Sequence, residues 1–263
     1  MKIRIFQILI LMGLLGVWEG GTRIPSVVDH IPILDPFFVS RPSKIVERLI
    51  FLSSSEVKNN VWKLLGSTVV STLLGFFTGV STGFAAGLSL GRSRFWYQVL
   101  SPYIITINSL PRIALVPLIT MVFGFGLMAK VVMAWLIVFF IVFFNTFQGA
   151  KSVDQDLVFA AKFLGASKFQ VLKTVIIPST LAWTFASLTP SISFALIGVV
   201  IGEFIGGESG GGIGYLIVSS LATLNSADMM VALILLATVG YILAFGIQKL
   251  EARLLRWRPE YVK

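Results

Sequence analysis

The chain has no cysteine and a single histidine, His30. That excludes disulfides, thiolate metal sites and any catalytic cluster built on several imidazoles. Charge is scarce too: Asp, Glu, Lys and Arg make up 13% of the residues, where a soluble domain carries about a quarter. No Gly-x-x-x-x-Gly-Lys-[Ser/Thr] run occurs, so the phosphate-cradling loop of an ATPase is missing. Neither paired carboxylates nor a Ser–His–Asp set falls within the apolar stretches. These absences exclude the common hydrolytic and metal chemistries, and the chain is expected to be no enzyme and to bind no cofactor of its own. His30 reads as a solvated loop residue.

What is present is apolar surface. Of 263 residues, 56% are hydrophobic, and the mean hydropathy is +0.90. The apolar residues are gathered into blocks long enough to cross a bilayer, which takes about 20 residues. Six spans are expected, at about 5–21, 65–90, 98–123, 126–148, 182–206 and 229–250. The expected fold class is therefore all-α: one polytopic membrane domain over 1–263, with its core at about 60–250. Residues 22–64 form an extracytoplasmic segment and 151–180 a cytoplasmic loop. Lys2 and Arg4 before Ile5–Val17 resemble the start of a signal peptide, but no Ala-x-Ala-like site follows and Trp18 closes the run. A retained first span is the favoured reading.

The formal charge of +9 does not point to nucleic acid, because the charges are sorted by side. With both termini cytoplasmic, the inner side holds thirteen basic residues: Lys2, Arg4, Arg92, Arg94, Lys151, Lys162, Lys168, Lys173, Lys249, Arg253, Arg256, Arg258 and Lys263. The outer side holds six, Arg23, Arg41, Lys44, Arg48, Lys58 and Lys63, and Arg112 and Lys130 fall in or beside spans. This is the positive-inside pattern.

Several local features refine the picture. In the outer segment, Ser43 is a candidate N-cap for a helix over about 44–52 with Ile45, Val46, Leu49 and Ile50 on one face. The second span carries Gly75, Gly79, Gly83, Gly87 and Gly91 at four-residue spacing, a shallow stripe suited to close helix packing in lipid. The third is interrupted by Asn108, Ser109, Pro111, Arg112 and Pro117. Such breaks survive in a membrane only beside protein or a water-filled cavity, and an intramembrane Arg is a functional-site candidate. The fifth holds Ser187, Thr189, Pro190, Ser191 and Ser193. Their hydroxyls either satisfy the carbonyl freed by Pro190 or line a polar path. Glu203, near the outer end, is either a pathway residue or an interfacial carboxylate. The candidate pathway set is Asn108, Ser109, Arg112, Ser191, Ser193 and Glu203. The glycine run at 206–214 lacks the strand-then-helix context of a nucleotide loop and reads as a turn leading into a short outer helix.

Residues 157–178 are the most informative stretch. They form a basic amphipathic insert between two apolar blocks and read as two short helices broken at Gly165. Ala160 and Ala161 give the first a face without bulk. Gly165 suits a left-handed helix end. Ser167 and Gln170 form a capping box for the second helix, and Pro178 is expected to stop it. This pattern resembles the "EAA" cytoplasmic loop of ATP-binding-cassette importer permeases. Ala160, Ala161, Gly165, Ala166, Ser167 and Pro178 fill it, and Phe159 stands where a Glu is expected. Further pieces, in order, are similar to the nitrate/sulfonate/taurine group: Ser109–Leu118, Phe123–Gly126, Gly198–Gly207, Gly212–Ile217 and Leu250–Arg258.

The resemblance implies a type I importer permease for a small, anionic solute. It implies a second permease copy forming the pathway as a homodimer, two cytoplasmic ATPase subunits holding ATP and magnesium, and an extracytoplasmic solute-binding protein. It further implies that Ala160, Ala161, Gly165, Ala166, Ser167 and Lys168 meet the ATPase, in the inner membrane of a bacterium. A secondary transporter or channel working alone is the rival reading. It would be expected to show paired intramembrane charges or an inverted repeat.

Overall fold

The computed structural model describes residues 2–54 and 60–255. Lys58, Arg256, Arg258 and Lys263 of the charge pattern, and the end of the Leu250–Arg258 motif, lie outside them. Every regular element among the described residues is helical: α1 (Lys2–Gly21), α2 (Pro25–His30), α3 (Pro36–Val39), α4 (Pro42–Ser53), α5 (Val61–Gly91), α6 (Arg94–Ser109), α7 (Val116–Phe123), α8 (Leu127–Lys151), α9 (Gln155–Phe163), α10 (Lys168–Val171), α11 (Ile177–Gly210), α12 (Ile213–Ala222) and α13 (Ser226–Leu254). Four rods, 61–91, 127–151, 168–210 and 226–254, are long and apolar enough to cross a membrane, and α6 with α7 makes a fifth, bent pair.

The glycine stripe of α5 lies against α8. A Cβ added at Gly79 would fall 2.7 Å from Val138 Cβ; at Gly83, 2.8 Å from the Phe139 carbonyl; at Gly87, 2.6 Å from the Phe143 carbonyl; at Gly91, 2.6 Å from Ala150 Cβ. Gly75 meets Ala134 in the same way. Only hydrogen fits between these backbones. Bulk solvent cannot drive helices together inside lipid, so this close approach is the main source of contact energy between them.

The register of the stripe also sets the topology. Residue numbers rise together on both helices, from Gly75 beside Ala134 to Gly91 beside Ala150, so α5 and α8 run parallel. The segment between them must carry the chain back across the whole bundle. That segment is α6, a 3-10 turn at Arg112–Leu115, and α7, bent by 85°. It is thus one broken traverse. The interruption expected in the third span, over 98–123, is a break between two helices. Pro111 sits at the break, and Pro117 falls in the first turn of α7, where its missing N–H costs nothing.

The rod over 168–210 runs antiparallel to α8, with Trp183 beside Gly149, Gly198 beside Ala134 and Gly202 beside Lys130. α13 then runs antiparallel to α11, packing Leu243, Ala244 and Ile247 on Leu188 and Ile192. The two ends of the bundle differ. At the collar end α4, α5, α12 and α13 share a core of Ile45, Leu52, Val61, Ile213 and Val231. Arg48 of α4 grips Asp228 of α13 through two bonds of 2.7 and 2.8 Å. The carboxylate holds the Arg48 proton more tightly than usual. At the loop end lie Gly91, Lys151 and the α9–α10 turn.

Two expectations for the outer segment need correction. α4 begins at Pro42, and Ser43 does not cap it. Ser43 instead donates from its backbone N and its hydroxyl to Glu19 of α1, at 3.0 Å each. Ile45 turns inward, but Val46 and Ile50 face out, because the buried face of α4 is set by Ile45, Leu49 and Leu52. α1 is held to the bundle at its C-terminal end, through Glu19 and Trp18, while Ile5–Val17 stand exposed.

The stripe gives the first test. Gly83→Leu is expected to force α5 from α8 and cost about 1–3 kcal/mol. In detergent this lowers the melting temperature by roughly 2–10 °C. Gly66→Leu on the same helix, where nothing lies within 4 Å, should melt like the parent. Equal melting of all three proteins would contradict the packing account.

Candidate functional site

The turn between α9 and α10 is built from its own sequence. Asp154 caps α9, accepting from the Asp156 N–H at 2.9 Å. Gly165 adopts φ +84°, the left-handed conformation that costs an L-residue about 1–2 kcal/mol. The Ala166 N–H bonds the Ala161 carbonyl at 3.0 Å, and the Gly165 N–H bonds the Lys162 carbonyl at 2.9 Å. This is the paired bonding of a Schellman turn, with Ala161 and Ala166 as its apolar contact. Ser167 then opens α10 with both bonds of the capping box, 3.3 Å to the Gln170 N–H and 2.7 Å from its own N–H to Gln170 Oε1.

The knuckle has a small core, in which Ala161, Ala166, Val175 and Ile176 pack on Val153, Val158 and Val171. Ala161 and Ala166 therefore point inward. Of the remaining residues expected to meet a partner, Ala160, Gly165, Ser167 and Lys168 are exposed. Beside them stand side chains that the sequence reading passed over: Phe163 is 94% and Leu164 85% exposed, with Phe159 and Phe169 also out. Their signal was present as large apolar residues in a loop rich in Lys. Phe159 presents its ring at the position where the family pattern has Glu.

Pro178 does not stop the second helix. Residues 172–176 form a π-helical turn, and the helix runs on from Lys168 to Gly206, with a kink at Gly207 (φ +54°) before its last residues. The wider turn takes up the ring and the missing N–H of Pro178, as π-bulges do. The knuckle and the fifth span are thereby joined by one helical path, which continues to Gly206.

That rod ends at the collar in a buried polar knot. Glu203 is 0% exposed and accepts from Thr68 at 2.8 Å and from the Gly214 N–H at 2.8 Å. Lys130, 2% exposed, lies 3.5 Å from the carboxylate and donates to Ser67 at 2.7 Å and to the Gly211 carbonyl at 3.4 Å. Thr68 also accepts from the Ile213 N–H. The Glu203 carboxylate thus sits at the N-terminus of α12, where backbone N–H groups favour negative charge. Positive φ at Gly207, Gly211 and Gly212 lets the chain turn there, and Gly212 lies so close to Glu203 that no side chain fits. Lys130 was not singled out from sequence, because its partner lies 73 residues away.

The pathway candidates are dispersed. Arg112 donates to Asn108 at 2.7 Å and lies 5.7 Å from the Phe140 ring centroid, while its Nε is buried without a partner. Ser109 beside them is exposed. Ser191 is fully buried and bonds the Ser187 carbonyl at 2.6 Å, whereas Ser193 is exposed. Two residues apart on a helix, they occupy opposite faces. Glu203 is enclosed in the knot and distant in sequence from the Asn108–Arg112 pair.

A bundle of long apolar helices, with a broken traverse and an exposed knuckle joined to one span, is the architecture of a multi-pass membrane protein. The model of one family, described as binding-protein-dependent transport system inner membrane component, matches residues 71–257, and the chain belongs to that family. It is 27% identical over 235 residues to the taurine transport system permease protein TauC of Escherichia coli (strain K12), covering 89% of this chain and 85% of that one. It is 30% identical over 247 residues to the riboflavin transport system permease protein RibX of Chloroflexus aurantiacus (strain ATCC 29366 / DSM 635 / J-10-fl), covering 94% and 88%. In fold it is similar to a chain of the MetNI methionine ABC transporter, solved in inward facing conformations, with a TM-score of 0.64, 20% identity, and 78% and 97% of the two chains covered. The protein is an ABC importer permease of the multi-pass inner-membrane class.

The knot yields a double-substitution test. Lys130→Met or Glu203→Gln alone strands a buried group, and breaking such pairs costs about 3–5 kcal/mol. Both together should cost less than the sum of the two in thermal unfolding. Strict additivity would contradict the pairing.

Proposed function

We propose that this permease imports a small anionic solute of the sulfonate class, using ATP hydrolysed on partner subunits. The carrying observation is the continuous helical path from Lys168 through the π-turn to Gly206, which joins the exposed knuckle to a span. Two ATPase subunits, which hold the ATP and magnesium, would each receive one knuckle. Ala160, Gly165, Ser167 and Lys168 with the rings of Phe159 and Phe163 form the contact. Ala161 and Ala166 support it from behind. With α1 as the sixth span, both termini and the loop end face the cytoplasm, in keeping with Arg92, Arg94, Lys151 and Lys162 at that end.

A second copy of the chain belongs beside α6 and α7. The break at Leu110–Pro111 stands on the surface of one chain, and in a bilayer it needs protein or water next to it. A homodimer joined there encloses a pathway between its halves, fed by an extracytoplasmic solute-binding protein. Arg112 supports an anion: a guanidinium is a fixed fork of donors, and here one donor is buried and unengaged. Asn108 orients it and Ser109 lies alongside. The likeness to a taurine permease supports the sulfonate class. Ser193 remains a lining candidate, whereas Ser191 and Glu203 hold the bundle together.

Tagged protein drawn from native membranes in mild detergent should bring down an ATP-binding-cassette ATPase. Gly165→Trp places a side chain where φ is +84° and fills the knuckle. It should leave membrane insertion intact, reduce ATPase recovery and bring solute uptake to background. Normal uptake by that variant, or a parent chain that comes down alone, would overturn the proposal.

A further inference from the structure

A cavity of about 640 Å³ opens at the loop end, between the α5–α6 junction, the end of α8 and the start of α9. Val153, Val158 and Ile176 of the knuckle core line part of it, but none of the exposed residues assigned to the partner contact and none of the pathway candidates does. Three cations line it, Arg92, Arg94 and Lys151, and no carboxylate does. Among the described residues none of the three pairs with an acidic group. Tyr97 stacks on Phe147 at 4.3 Å to form one wall, and the Lys151 ammonium lies 5.9 Å from the Tyr97 ring centroid. Gln98 and Gln155 add amide donors.

Three unpaired positive side chains around one concavity repel each other and favour an anion between them. Arg pairs best with oxyanions that accept two parallel bonds, as phosphate does. The volume suits a small polar group, not a protein segment. Next to the cavity Phe95, Trp96 and Val99 are exposed, an apolar and aromatic strip of the kind that sits at the membrane interface. A ligand with a phosphate in the cavity could lay its acyl chains along that strip. Basic pockets between spans on the cytoplasmic side bind anionic headgroups for these reasons.

We infer that this cavity binds a phosphate-bearing anionic headgroup, with an inner-leaflet phospholipid such as phosphatidylglycerol as its source. That the cavity faces the inner leaflet rests on the orientation argued above; its geometry does not. The bound headgroup would bridge the α5–α6 junction, the end of the glycine-packed α8 and, through Gln155 and Val158, the first helix of the knuckle. Occupancy would then set how firmly the loop is tied to the spans.

The test is native mass spectrometry of the full chain in detergent, with added phosphatidylglycerol or phosphatidylcholine of identical acyl chains. Phosphatidylglycerol should be retained about tenfold more than phosphatidylcholine. The preference should vanish in Arg92→Gln/Arg94→Gln/Lys151→Gln and persist in Lys44→Gln/Lys63→Gln, which removes charge at the other end. If the triple variant does not fold, Arg92→Gln alone, at an exposed helix end, should show a partial loss. Inorganic phosphate is the second probe. If it raises the melting temperature of the parent but not of the triple variant, while the two lipids are retained equally, the headgroup source is a free phosphate and the lipid assignment falls. Equal retention of both lipids with no phosphate effect, or a preference that survives the triple variant, overturns the site. ATPase recovery does not enter this readout, so its failure would be distinct from failure of the importer reading.

Discussion

The backbone contact between α5 and α8 is the constraint on which the rest of the structure depends. In lipid there is no solvent to expel, so two helices stay together by packing, and packing is densest where side chains are absent. Five glycines on one face of α5 meet α8 at distances that admit no Cβ. Because the two helices are parallel, the intervening chain has to return across the bundle in 35 residues that include a break. The broken α6–α7 traverse, with Arg112 at its bend, follows from the way α5 and α8 pair. The same pairing leaves the adjacent face of α8 for α11, which packs Gly198 and Gly202 on Ala134 and Lys130, so that Ala134 touches both neighbours.

The α10–α11 rod then links two ends of different character. At the loop end it begins in a knuckle stabilised by local bonds and a few small side chains, open to a partner. At the collar end it carries Glu203 into a knot that ties α5, α8 and α12. Between the knuckle and that knot the backbone stays helical, through the π-turn before Pro178 and past Pro190 inside α11. The π-turn before Pro178 matters here, because it takes up that ring and its missing N–H where the knuckle joins the span. In the proposed mechanism the bistable element is the α11 rod with its collar contacts, and the knuckle is the handle by which ATP closure would bias it.

What the sequence revealed was local. The glycine spacing, the Gly165 turn and the Ser167–Gln170 box are written in residues a few positions apart, and the structure forms each of them. What it hid was either long-range or decided by competition. Lys130 looked like a charge beside a span until Ser67 and Glu203 came together around it. Ser43 read as a cap, yet Glu19 of α1 offered its donors a better acceptor and Pro42 could open the helix without it. Pro178 read as a stop, because nothing in the local pattern announces that an extra residue in the turn will absorb it. Ser191 and Ser193 looked like one polar patch, but the helical period sends them to opposite sides. Val46 and Ile50 share the apolar face of α4 with Ile45 and Leu49 in the sequence, but which part of that face is buried is set by distant partners on α12 and α13.

The central claim is that force passes from the knuckle to the collar through one continuous helical path. Lys173 and Thr174 lie in the π-turn with exposed side chains, so replacing both with glycine loosens the rod at about 1 kcal/mol each without touching its packing. Uptake by the assembled transporter, measured alongside recovery of its ATPase, tests the claim directly. The account predicts normal ATPase recovery with uptake reduced at least about tenfold, a loss worth about 1.4 kcal/mol or more of coupling. Parental uptake by the double-glycine variant would contradict it.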